Sequence, residues 1–238
     1  MAIWAVVVFA SVLRSFTGFG FALAAVPVFS LFLLPAEAVV LSASLAFTLS
    51  VLSLRTYWGI IPIRPMVPML MMALLGTVAG AAVLTVISPA QFQLWVGISV
   101  IVACLGVSVI QPSKRWDSPG LSWITGLASG LMNGALAIPG PLVVIYVMLT
   151  EPVPKRSRAF LMTFFLASSV MALVSYGAAG IIRPQSGWYF LLAFPALYGG
   201  DKLGYYLFRR FGDALYRRIA LAGLIGIGVT IILRAVVG

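Results

Sequence analysis

The sequence predicts an all-α integral membrane protein made of two inverted repeats, each a broken, re-entrant helical hairpin followed by three transmembrane helices. Three observations lead there. Mean hydropathy is +1.13 and only 8% of the 238 residues are charged, too little polar surface to clothe a water-soluble body of this size. Apolar stretches of about 20 residues, the length that crosses a ~30 Å hydrocarbon core, follow one another from end to end. Two of these stretches, residues 2–34 and 121–149, are too long for one straight span and are interrupted midway by glycine and polar residues.

The first stretch opens on Met1-Ala-Ile-Trp-Ala, which has no basic n-region. No small-residue cleavage site follows Arg14, so it is expected to stay in the mature protein. Six ordinary spans are expected at about 38–58, 66–87, 91–111, 158–181, 186–207 and 214–237. The two overlong stretches occupy equivalent places, and other features recur in the same order. Gly20-Phe-Ala-Leu-Ala-Ala-Val-Pro27 aligns with Gly134-Ala-Leu-Ala-Ile-Pro-Gly-Pro141, which sets Ser15 on Ser129. Gly59-Ile-Ile-Pro62 recurs as Gly180-Ile-Ile-Arg183-Pro184, and Gly76-xxx-Gly80 as Gly200-xxx-Gly204. The expected organisation is therefore a first transmembrane repeat over 1–111, a cytoplasmic connector over 112–120 and a second repeat over 121–238.

Loop charges decide the parity of the crossings, because lysine and arginine concentrate on the cytoplasmic side. If each broken stretch crosses once, alternate loops carry four and five basic residues. If each enters and leaves by the same face, the totals become eight (Arg64, Lys114, Arg115, Lys155, Arg156, Arg158, Arg209, Arg210) against one (Arg183). The second arrangement inserts the halves in opposite orientation and puts both termini outside. Two short full crossings per stretch would give the same totals. Arg55, Tyr57, Trp58, Arg217 and Arg218 are expected to anchor the cytoplasmic boundary.

The net charge of +10 sits mostly in short loops rather than on one amphipathic face, which argues for topology and against nucleic-acid binding. The single cysteine, Cys104, and the lack of histidine leave no ligand set for a transition metal, and no cofactor is expected. The expected partners are a small anion and the lipid bilayer, with homo-oligomerisation an open alternative.

Irregular backbone at membrane depth leaves peptide groups that lipid cannot satisfy, so two such breaks should meet under cover of protein or of a watery cavity. Half-helix N-termini carry partial positive charge and free N–H groups, which suit an anion. The expected donors are the amides near Thr17 to Phe21, including Gly18 and Gly20, and those near Asn133 to Leu136, including Gly134. Ser15, Thr17, Ser129 and Asn133 add side-chain donors, and Arg14 adds a full charge. The bland alternatives are inter-helix hydrogen bonding for the hydroxyl and amide side chains, and snorkelling or carbonyl capping for Arg14. Gly76, Gly80, Gly200, Gly204 and the Gly126, Gly130, Gly134 series read most simply as close-packing faces. Tyr57 and Tyr176 are candidate gates with boundary or packing roles as the plainer reading. Asp201, the one acid inside a span, is a candidate coupling residue that could equally pair with a nearby base.

Gly18-Phe-Gly20 through Pro27, the second copy from Gly130 through Pro141, and Tyr57-Trp58-Gly59 together resemble the sulfite exporter TauE/SafE family, over essentially the whole chain. The chain departs from the family's fuller glycine cluster at Phe21, Ala22, Ala135 and Leu136. The resemblance implies a bacterial inner-membrane permease moving sulfite, sulfoacetate or related small sulfur-containing anions, commonly outward, with the two breaks forming the substrate site. The leading reading is a secondary transporter working by alternating access. The alternatives are a passive anion channel and a membrane-embedded enzyme such as a lipid-phosphate phosphatase, which would need catalytic acids or bases near the break, whereas the chain has no histidine and Glu37 and Glu151 are expected in loops.

Overall fold

A computed structural model describes residues 2–109, 118–151 and 153–211. The expected last span, 214–237, most of the connector with Lys114 and Arg115, and the anchors Arg217 and Arg218 lie outside the described residues, as do the side chains of Arg209 and Arg210. The described residues are helical, without a strand. The helices are α1 (Ala2–Thr17), α2 (Phe21–Phe29), α3 (Pro35–Leu52), α4 (Leu54–Tyr57), α5 (Val67–Leu84), α6 (Pro89–Val109), α7 (Pro119–Leu136), α8 (Gly140–Thr150), α9 (Pro154–Ala178) and α10 (Pro184–Phe211).

Local sequence explains where these helices start. Proline opens α3, α6, α7, α9 and α10, a position where its missing N–H costs nothing and its fixed φ favours the helix. At α6 the residues Ser88 and Gln91 form a capping box. The Ser88 N–H donates to Gln91 Oε1 at 3.0 Å and the Gln91 N–H to Ser88 Oγ at 3.2 Å. Glu37 lies in the first turn of α3 rather than in a loop and accepts from the Leu34 N–H at 3.4 Å. Gly59 and Gly180 both adopt left-handed φ, at 78° and 68°, and turn the chain after α4 and α9.

Among the described residues, three helical segments are long and apolar enough to cross a membrane: 35–52, 64–84 and 155–178. Each has large apolar side chains on its outside, among them Met71, Leu75 and Val174, each more than half exposed. Exposed hydrophobes at this density need lipid as their solvent.

The glycines set the closest packing. Gly76 and Gly80 of α5 lie against the backbone of α7 at Leu127, Gly130, Leu131 and Gly134, while Gly126, Gly130 and Gly134 lie against Met69, Ala73 and Thr77 of α5. On the other side of the molecule, Gly200 and Gly204 of α10 lie against Val8, Ser11, Val12 and Ser15 of α1. Small residues at a four-residue period let two backbones touch, which is how helices associate where no water drives them together. The glycine pairs are thus packing faces, as expected. Helices α3 and α9 pack on each other between these two seams.

Candidate functional site

Both overlong stretches are broken. The first break is residues 18–20, where Gly18 (φ 77°) and Gly20 (φ 95°) take left-handed conformations that an L side chain resists. The second is residues 137–139, where Ala137 itself sits at φ 55°. This corrects the expected alignment. Residues Asn133 to Leu136 remain inside α7, and the half-helix begins at Gly140. Glycine and proline spacing matched Gly134 to Gly20, but Gly134 is a seam glycine whose missing side chain makes room for Thr77 of α5.

The two breaks end their helices alike. The Gly18 N–H donates to the Arg14 carbonyl and the Ala137 N–H to the Asn133 carbonyl, each at 2.8 Å. Arg14 and Asn133 therefore hold the same place, the last full turn before a left-handed residue. Each also reaches across to the long helix that follows its hairpin. Arg14 donates to the Ala46 carbonyl at 3.0 Å and to Ser50 Oγ at 2.6 Å, both on α3. Asn133 Nδ2 donates to the Ser168 carbonyl of α9 at 2.8 Å and to Thr77 Oγ1 of α5 at 3.3 Å.

Between the breaks lies a cavity of about 40 Å³, lined by residues 19–23 of the first break and 137–140 of the second, by Arg14 and Asn133, and by Ala43, Ala46, Phe165 and Ser169. One bound water occupies roughly 10–15 Å³ on this measure, and drug-sized ligands need hundreds. The space suits a small ion.

Its electrostatics are one-sided. No acidic residue is among those lining it. Arg14 is 3% exposed and its Nε has no hydrogen-bond partner. Burying a guanidinium costs several kcal/mol unless it is compensated, and two hydrogen bonds to neutral groups leave its charge unmatched at close range. The amides of Phe21, Ala22 and Leu23 belong to the first turn of α2, where no intrahelical acceptor exists, and all three residues line the cavity. The α8 end offers less, because Pro141 lacks an N–H. Phe19, Phe21 and Phe165 supply apolar walls.

Several expected site residues do other work. Ser15 donates to Asp201 Oδ1 at 2.6 Å. Ser129 donates to the Pro139 carbonyl and so satisfies a peptide group of the second break. Thr17 ends α1, but its side chain lies outside the described residues. Gly18 is covered by the stem of Arg158, whose guanidinium donates to the Ser15 carbonyl at 2.7 Å. Tyr57 and Tyr176 are fully buried. Tyr57 is therefore no boundary anchor, while Trp58, 61% exposed, fits that role. The Tyr57 hydroxyl donates to the Ser50 carbonyl at 2.8 Å and the Tyr176 hydroxyl to the Asn133 carbonyl at 2.9 Å. Asp201 forms no ion pair among the described residues; the one salt bridge there joins Arg156 to Glu151 at 3.1 Å.

Fold and site together define a helical membrane protein that presents a small, cationic, acid-free cavity between two helix breaks. The chain belongs to the sulfite exporter TauE/SafE family, which matches residues 3–231, and that family consists of anion transporters. No curated protein and no solved structure matches the chain.

Proposed function

We propose that this protein is a secondary transporter, and specifically an exporter, of small sulfur oxyanions such as sulfite or short organosulfonates. The anion sits in the cavity between the two breaks, held by the Arg14 guanidinium and the free amides of α2. The observation that carries the reading is the convergence of Arg14 and Asn133, each one turn before its own break, on one enclosed space.

The two halves, 1–111 and 121–238, are inverted repeats that insert with opposite orientation and leave both termini on the outer face of the bacterial inner membrane. Reciprocal packing supports this. Helix α1 of the first half lies along α10 of the second, α7 of the second lies along α5 of the first, and α3 meets α9 between them. The bodies that rock during alternating access are accordingly interlocked. One contains α1 with α10, the other α5 with α7, and each joins a broken helix from one half to a long helix from the other.

Counterflow in proteoliposomes tests the function. Labelled sulfite and methanesulfonate should exchange across vesicles holding the wild-type protein, and Arg14→Ala should lower the rate at least tenfold while the protein still inserts and elutes normally. Wild-type-like exchange by Arg14→Ala would remove the guanidinium from the site. Equal flux with and without anion on the far side would favour a channel over a carrier.

A further inference from the structure

Among the described residues that line the cavity, Arg14 alone is ionisable. Two other charges of this region bind Ser15 instead: the Arg158 guanidinium donates to its carbonyl at 2.7 Å and the Asp201 carboxylate accepts from its hydroxyl at 2.6 Å. Neither lines the cavity. Asn133 does, but its Nδ2 donates to the Ser168 carbonyl and to Thr77 Oγ1, so both amide hydrogens are spent on the protein. Ser169 likewise spends its hydroxyl hydrogen on the Leu166 carbonyl at 2.9 Å. An anionic headgroup is therefore drawn to Arg14 and the first turn of α2. The α8 side, with Ile138, Pro139, Gly140 and Phe165, is left without a side-chain donor.

Gly140 begins α8 where Leu23 of α2 and Phe165 of α9 come together. A Cβ there would lie 3.7 Å from Leu23 Cδ1 and 3.8 Å from Phe165 Cζ, which is ordinary van der Waals contact. Neither a clash with the neighbouring helices nor a left-handed φ requires glycine at this position, unlike Gly130, whose Cβ would drive into the Ala73 carbonyl. What its missing side chain does is leave room beside the cavity. The Phe165 ring is fixed on the far side of that room by the apolar cluster it shares with Val143 and Val144 of α8. The room is limited: about 40 Å³ takes roughly three or four waters. At ~30 Å³ of liquid volume each, these match a sulfonate group bearing one or two carbons.

We infer that the α8 side of the cavity is an apolar tail site: short alkanesulfonates bind with the sulfonate at Arg14 and the alkyl group between Leu23, Gly140 and Phe165, and Gly140 and Phe165 set the longest tail admitted. The inference rests on the anion site proposed above and names the substrate class within it. Each methylene that fits leaves water and tightens binding about fourfold. The first that does not fit must push a ring or a helix aside, and one methylene too many against a packed wall is refused about tenfold or more. Sulfite has no tail and is indifferent to both residues.

Counterflow of sulfite and of methane-, ethane-, propane- and butanesulfonate in proteoliposomes tests this. Wild-type protein should bind ethanesulfonate more tightly than methanesulfonate, and butanesulfonate about tenfold more weakly or worse. Phe165→Leu removes the ring tip beside Gly140 and should move the limit to longer chains, with butanesulfonate exchange rising about tenfold and sulfite exchange unchanged. Gly140→Ala places a methyl in the tail site and should cut ethanesulfonate exchange while sparing sulfite. Equal exchange of every chain length by the wild type, or an unmoved limit in Phe165→Leu protein that elutes normally, would overturn the tail site and leave the anion site standing. If Phe165→Leu does not fold, Gly140→Ala decides: selective loss of ethanesulfonate upholds the tail site, and parallel behaviour of ethanesulfonate and sulfite overturns it. Wild-type protein that exchanges neither sulfite nor methanesulfonate would overturn the anion site as well.

Discussion

Two buried tyrosines stand behind the residues that precede the breaks, one directly and one through Ser50, and we read them as positioning residues. Tyr176 fixes the Asn133 carbonyl directly, and Tyr57 fixes the Ser50 carbonyl beside the Arg14 contact. Replacing either by phenylalanine keeps the packing and removes one buried hydrogen bond, which should lower stability by about 1 kcal/mol, read as a fall in the thermal midpoint in detergent. Tyr176→Phe should cut counterflow more than Tyr57→Phe, because it frees the site residue's own backbone. Arg14 was legible from sequence because a charge inside an apolar stretch is conspicuous. The actual duties of Ser15 and Ser129 were not. A serine's type says that it donates a hydrogen bond, whereas its acceptor, a carboxylate on α10 or a carbonyl of its own break, depends on tertiary packing. Ser169 and Phe165 carry no signal that sets them apart from the other serines and phenylalanines of their span.

At the scale of the helix, glycine has two uses here that look alike in one dimension. Gly18 and Gly20 supply left-handed backbone at a break, and Gly126, Gly130 and Gly134 supply bare helix surface. The difference in context predicts different costs. Gly130→Ala drives a Cβ into the Ala73 backbone, where neither helix can yield locally. It should destabilise the α5–α7 seam by about 1–3 kcal/mol, the usual range for overpacking, with a matching loss of folded yield. Gly59→Ala meets open space but keeps φ at 78°, and should cost about 1–2 kcal/mol from backbone strain alone. Gly187→Ala meets neither obstacle and should leave the thermal midpoint unchanged. The existence of the breaks was readable, since mostly apolar stretches of 33 and 29 residues, interrupted midway by glycine and polar residues, are too long for one straight span. The position of the second was not, because its left-handed residue is an alanine and Gly134, the glycine aligned with Gly20, belongs to the seam.

For the whole molecule, the run of apolar stretches carries most of the helical architecture. Most of the expected spans match observed helices, with ends moved by a few residues to the prolines that start them. The proposed opposite insertion of the halves makes a topological prediction. Single cysteines placed at residues 2 and 116, in a Cys104→Ser background, should react with a membrane-impermeant maleimide from opposite sides of the bilayer, and labelling from the same side would refute the inversion. The proposed rocking bodies make another. Spin labels on α1 and α10 should keep a fixed separation when anion is added, while a pair spanning α1 and α7 should change.

The central claim is that an anion occupies the cavity between the breaks. Ser169 lines that cavity on α9, and its replacement by cysteine changes little in volume. In a Cys104→Ser background, methanesulfonate should slow modification of Ser169→Cys by a small thiol reagent in a saturable manner, and the slowing should vanish when Arg14→Ala is added. Modification at one rate regardless of methanesulfonate, in protein that still performs counterflow, would place the anion elsewhere and contradict the account.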